Sequence, residues 1–154
     1  VLSAVPATGE ALQVLSLVPG SGVTLRWTLG FANVWDAIGG GPVLVSDRVD
    51  VVGTCGGAGC GRNPRTGVGV RADGKLLLVV VDGRQPKWSV GATMHEFARI
   101  FLKLGATGAM NLDGGGSSTM VVNGDVKNRP SDGEQRRVST AVLVLPGPDP
   151  GEPS

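Results

Sequence analysis

Tyrosine is absent, and aromatic residues make up only 4% of the chain. So few rings cannot supply the serial stacking surfaces on which single-stranded nucleic acid or a long sugar polymer is laid out. Charge of one sign is lacking too: 14 Lys+Arg against 13 Asp+Glu leave a net +1, with no broad field to gather nucleic acid or an anionic membrane, so any anion is bound locally. A single histidine, His95, and two cysteines, Cys55 and Cys60, are too few for a tetrahedral zinc site. The C-x4-C spacing instead reads as a short disulfide loop, with two free thiols the alternative; the disulfide favours an oxidising compartment. No apolar stretch approaches the roughly 18 residues of a membrane helix, so no membrane span is expected. The first residues carry neither a basic leader nor an apolar signal core, and Val1 stands where a Met would. Processing or truncation upstream is therefore expected.

What is present describes one strand-rich domain. The chain has 154 residues, enough for a core of its own, with 41% hydrophobic and 18% charged residues. Its 26 glycines and 10 prolines fall between short apolar runs, as turn residues do. Strands are expected at 12–17, 23–29, 43–45, 49–52, 67–71, 76–81, 109–112, 119–122 and 138–145. The run Leu76 to Val81 has no polar alternation, which predicts a central strand buried on both faces. Asp73-Gly74 and Asn123-Gly124 each separate two apolar runs and predict tight antiparallel hairpins. Only about residues 90–104 read as a helix: Met94, Phe97, Ala98, Phe101 and Leu104 recur on one face, Thr93-x-x-Glu96 matches a capping box, and Gly105 follows as a stop. The expected class is α+β, a mixed or antiparallel sheet with one principal packed helix. A single domain over 1–145 precedes a Pro/Gly-rich tail at 146–154.

Four clusters carry chemistry. Asp113-Gly114-Gly115-Gly116-Ser117-Ser118-Thr119 follows an apolar run; consecutive glycines can turn successive amides on an anion, and the hydroxyls add donors. A flexible loop is the plainer alternative. No Lys follows, so this is no Walker-type phosphate loop, and the final Gly of a nucleophile elbow is missing. A Ser-His-Asp arrangement would have only His95 as base, and His95 sits beside helix-capping residues. The second cluster, Asn63-Pro64-Arg65-Thr66-Gly67, offers a guanidinium suited to bidentate phosphate contact. The third, Ser131-Asp132-Gly133-Glu134-Gln135-Arg136-Arg137, offers carboxylates and guanidinium groups before the last expected strand. The fourth, Asp82-Gly83-Arg84-Gln85, leaves the run at 76–81. Each alone could be an ordinary turn; together they suit a phosphate-linked substrate and acid/base chemistry.

NPRTGVG at 63–69, VDGRQPKWSVGATMHEFARIFLKLGATGAMNLDGGGSSTM at 81–120 and NRPSDGEQRRVSTAVLV at 128–144 resemble the phosphodiester glycosidase family, over about residues 36–145. The resemblance implies hydrolysis of the bond between a sugar's anomeric carbon and a phosphodiester oxygen. It implies Asp113 as catalytic carboxylate, with Asp132 or Glu134 as the second. Substrate and phosphate contacts are expected from Arg65, Thr66, Asp82, Gly114, Gly115, Gly116, Ser117, Ser118, Arg136 and Arg137. No organic cofactor is expected, and a divalent cation is left open. A sugar phosphodiester or glycan is the expected partner, in an extracellular or wall-associated setting. No Asn-Gly-Gly-Phe-like segment, which family members carry upstream, is found, so the chain resembles either the C-terminal portion of the family domain, with an N-terminal fragment of the same precursor as a further expected partner, or a divergent member in which residues 1–36 replace that segment. A non-catalytic glycan-binding module is the competing reading.

Overall fold

The computed structural model describes residues 18–22, 24, 37–54 and 56–145. The chain divides into two compact units, Val1–Ala37 and Ile38–Ser154. In the first, Val18 to Ser21 make a turn in which the Ser21 amide donates to the Val18 carbonyl at 3.0 Å. The strands expected at 12–17 and, Thr24 aside, at 23–29 lie outside the described residues. So do the tail 146–154 and Cys55, and with Cys55 the expected disulfide.

In the second unit, β1 (Val43–Ser46), β2 (Val49–Asp50), β3 (Arg65–Arg71), β4 (Leu76–Val81) and β5 (Ala106–Asn111) form one sheet in the order β2-β1-β5-β3-β4, and every neighbouring pair is antiparallel. A separate ribbon pairs β6 (Val121–Val122) with β7 (Asp125–Val126). Its turn has Asn123 at φ 53° and Gly124 at φ 84°, the two left-handed residues of the two-residue loop expected there. The Asp73-Gly74 loop closes differently. Only Gly74 is left-handed, at φ 79°, and Arg71 and Lys75 are joined by a hydrogen bond of 3.0 Å, so three residues make the turn.

The one α-helix among the described residues, α1 (Met94–Lys103), begins where its capping box predicts. The Glu96 amide donates to Thr93 Oγ1 at 3.2 Å, and the Thr93 amide donates to Glu96 Oε2 at 2.9 Å. Its apolar stripe buries Met94, Phe97, Ala98 and Phe101 against Leu44, Val45, Ala106 and Ala109. Phe97 and Phe101 meet edge to face at 5.1 Å. They lie directly on β3, where a Cβ on Gly67 would come within 2.8 Å of Phe97 and one on Gly69 within 2.8 Å of Phe101. The two glycines are thus the floor on which the rings rest.

Two expectations fail. Leu76 to Val81 is an edge strand, not a central one, because β5 inserts between β1 and β3 and pushes β4 to the rim. Its residues from Leu77 on are half-buried and Leu76 is exposed. An unbroken apolar run tells which faces want cover; it says nothing of lateral order in a sheet. The stretch expected as a last strand, 138–145, is in no strand, and Leu143, Val144 and Leu145 are about three-quarters exposed at 75%, 76% and 75%. A strand exists only when paired, and among the described residues none pairs with it.

The register positions the site. Arg65 stands opposite Val81, and Gly67 opposite Asn111. The start of β3, the exit of β4 and the exit of β5 therefore share one end of the sheet. Three clusters far apart in sequence are delivered to that end by antiparallel pairing alone.

Candidate functional site

At the exit of β5 the Leu112 amide donates to the Thr66 carbonyl at 2.8 Å, and the chain turns at Asp113. Gly114 presses on the segment before β3: a Cβ there would stand 2.9 Å from the Pro64 carbonyl oxygen and 3.7 Å from Arg65 Cα. Gly115, left-handed at φ 61°, donates its amide to that same carbonyl at 2.9 Å. A 3-10 turn (Gly115–Ser117) follows, with Ser117 and Ser118 amides donating to the Gly114 and Gly115 carbonyls, each at 3.2 Å. The Gly114 amide is taken by Asp113 Oδ1 at 2.9 Å. The Gly114 and Gly115 amides thus already have partners, and the three glycines act chiefly by what they let approach.

What approaches is a set of guanidinium groups. A Cβ on Gly115 would lie 3.1 Å from Nη2 and 3.2 Å from Nη1 of Arg84, whose Nε and Nη2 donate to Asn63 Oδ1 at 3.2 and 3.0 Å. Arg84 holds a left-handed backbone at φ 58°, uncommon without a glycine. A Cβ on Gly116 would run into Asp132 Oδ2 and Arg136, which form an ion pair with Nε at 2.9 Å and Nη2 at 2.5 Å. The triple-glycine corner, the Asn63–Arg65 segment and the acidic loop before residue 138 therefore meet in one place.

Several expected ligand-binding residues are instead committed to holding that place together. Arg65 is only 5% exposed: its Nε donates to the Ala92 carbonyl at 2.9 Å and its Nη2 to the Gly59 and Gly61 carbonyls, both at 2.7 Å. Burial, with Arg84 nearby, lowers its pKa from the ordinary guanidinium value, and it stays a cation. Asp82 accepts at Oδ1 from Asn128 Nδ2 (3.0 Å) and the Arg129 amide (2.9 Å), and at Oδ2 from Trp88 Nε1 (2.8 Å). Ser118, 1% exposed, accepts from the Thr66 hydroxyl at 3.0 Å. His95 pairs with Asp50 of β2 at 2.9 Å on the exposed start of α1.

The remaining candidates divide between two cavities. One, of about 490 Å³, is lined by Thr66, Asp113, Ser117, Thr119 and Arg137 among its polar groups, with Ile38, Leu78, Val80, Leu112 and Met120 among its apolar ones. Glu134 lines another groove, of about 920 Å³. The first cavity combines one exposed carboxylate, hydroxyl donors, a guanidinium and an apolar wall, the equipment for an anionic sugar derivative. No group of three His, Cys, Asp or Glu residues placed to hold a metal ion occurs among the described residues. Sequence reasoning passed over Arg84 and Thr119. Arg84 stood inside the cluster already noticed, but only its packing on Gly115 marks it out from Asp82.

A family model described as phosphodiester glycosidase matches residues 6–145, starting well before the stretch whose motifs carry the resemblance. The N-acetylglucosamine-1-phosphodiester alpha-N-acetylglucosaminidase of Bos taurus is 44% identical over 87 residues, covering 52% of this chain and 16% of that protein. The SPbeta prophage-derived protein YomE of Bacillus subtilis is 40% identical over 89 residues, 57% of this chain and 14% of YomE. A crystal structure of a hypothetical protein from Synechocystis superposes with a TM-score of 0.57 at 32% identity, over 66% of this chain and 19% of that one. The chain thus spans under a fifth of the length of these relatives.

Proposed function

The chain belongs to the phosphodiester glycosidase family, and from that membership we propose that it hydrolyses a sugar 1-phosphodiester, with the cavity at Asp113 as the reaction site. The observation that carries this reading is that Asp113, Ser117, Thr119 and Arg137 line one cavity with an apolar wall. Water attacks the anomeric carbon as the bond from that carbon to the phosphodiester oxygen breaks. Asp113 takes the proton from the water and faces the positive charge that develops on the ring. The departing phosphomonoester is a good leaving group and asks little of a general acid; Arg137 and the hydroxyls hold its growing charge. Asp132 is engaged by Arg136 and Glu134 lines the other groove, so the reading rests on one carboxylate. Arg65, Asp82 and Ser118 act here as supports of the corner. Cys55 and Cys60 as a disulfide, and an extracellular setting, complete the proposal.

The test is release of free sugar from a sugar 1-phosphodiester by the purified chain. Asp113→Asn is expected to lower turnover by about 100-fold or more. Undiminished turnover in that variant removes Asp113 from the chemistry. Saturable binding by the wild-type chain with no turnover favours a glycan-binding module, the second reading.

A further inference from the structure

The groove of about 920 Å³ shares no lining residue with the Asp113 cavity. Its main feature is Trp88, 60% exposed in a chain with so few aromatic residues. An exposed indole would ordinarily be loose, yet this one is held on several sides. Its Nε1 donates to Asp82 Oδ2 at 2.8 Å, and its backbone amide donates to the Gln85 carbonyl at 2.7 Å. The Arg129 guanidinium lies over the ring at 4.5 Å from its centroid. Arg129 is fixed in turn, since its amide donates to Asp82 Oδ1 at 2.9 Å and its carbonyl accepts from Gln85 Nε2 at 2.9 Å. Asp82 is the hub of this arrangement, which explains why a carboxylate expected to touch substrate is engaged at both oxygens.

A large apolar ring kept in water and fixed there gives a ligand a surface that needs no ordering on binding. Lys87, Glu134 and Gln135 line the same groove and provide donors and acceptors of both signs around the ring. With Arg129 over one face of the indole, the other face, with such groups near it, matches a pyranose, whose axial C–H groups stack while its hydroxyls reach the rim. A single ring provides for a single sugar and not for a polymer track. We infer that the Trp88 groove is a second carbohydrate-binding site, which takes one pyranose unit by stacking on the indole, separate from the Asp113 cavity. Assigning that unit to the far side of the substrate hydrolysed at Asp113 rests on the preceding reading; the binding itself does not.

The experiment follows the Trp88 indole N–H by NMR in the Asp113→Asn chain, with its signal assigned by difference from Trp88→Phe. The titrants are N-acetylglucosamine, methyl α-mannoside, inorganic phosphate and adenosine monophosphate. At least one pyranoside is expected to shift that signal saturably in the millimolar range. Calorimetry is expected to show at least a tenfold weaker interaction in Trp88→Ala and retention within a few-fold in Trp88→Phe. Four outcomes overturn the inference: no saturable shift with either pyranoside, a response to phosphate alone, stronger binding of adenosine monophosphate than of either sugar, or undiminished sugar binding by a folded Trp88→Ala chain. Because Asp113 is already replaced, failure of the hydrolytic reading leaves these results untouched. Failure here likewise leaves the turnover assay standing.

Discussion

At the scale of single residues, the absence of a Cβ is used in two physically different ways. Gly67 lies under Phe97 and Phe101 and beside the Met110 carbonyl oxygen, 2.9 Å from where a Cβ would be. Neither packed rings nor backbone can yield much, so Gly67→Ala is expected to destabilise by about 1–3 kcal/mol. Gly116 instead abuts the far ends of Asp132 and Arg136, flexible and half-exposed side chains. Such a pair contributes under about 1 kcal/mol, so Gly116→Ala is expected to leave the melting temperature nearly unchanged. It does displace the loop that carries Arg136 and Arg137, and kcat/KM is expected to fall at least tenfold. Thermal denaturation and the sugar-release assay on the two variants check the contrast; equal stability losses would refute it. The sequence does not tell which side chains either glycine makes room for, because these belong to neighbours far along the chain.

Among the elements, α1 was the most legible. Its cap, its stop and the stripe from Met94 to Phe101 are local patterns that the structure reproduces, while the helix begins at Met94 and not near residue 90, and Leu104 is exposed. Its start also carries a pH dependence. The Thr93 amide, with help from the Thr93 hydroxyl and Arg62, outweighs partial burial and holds the Glu96 carboxyl below its ordinary pKa. On Asp50, burial acts upward and is the largest single influence, but His95, the Val52 amide and Arg99 together outweigh it. Both carboxyls are depressed on folding, so their stabilisation is complete above the ordinary carboxylate range, near pH 4–5, and is lost as pH falls through the lower folded values. Acid titration followed by circular dichroism is expected to show stability falling only below about pH 5, less steeply in Glu96→Gln. Stability rising on acidification across that interval would contradict the assignment. The strands of the sheet were legible in place but not in neighbourhood, and the one expected at 138–145 was not formed. β4 was read to the residue, yet its rim position depends on β5 entering between β1 and β3, a choice made by hydrogen bonding between distant segments.

For the second unit taken whole, two apolar surfaces stand out: the rim strand β4 with Leu76 69% exposed, and the stretch ending in Leu143, Val144 and Leu145. Exposed strand edges and contiguous apolar side chains recruit partners. The isolated chain is therefore expected to self-associate with rising concentration, and Leu143→Lys with Leu145→Lys to shift it toward monomer in analytical ultracentrifugation. A wild-type chain monomeric at all concentrations would show these surfaces to be otherwise satisfied.

The sequence by itself determined the class of fold, the helix with its cap, the hairpin turns and the motifs that carry the family, because each depends on residues adjacent in the chain. Only the tertiary structure decided which polar groups remain free to act. Arg65 and Asp82 have the right chemistry for a ligand, but Arg65 Nε and Nη2 are engaged by the Ala92, Gly59 and Gly61 carbonyls, and both Asp82 carboxylate oxygens by Asn128, Arg129 and Trp88. Asp113 and Arg137 are left facing a cavity. Each donor hydrogen and each acceptor lone pair can be committed only once, and the partner that claims it is found by folding.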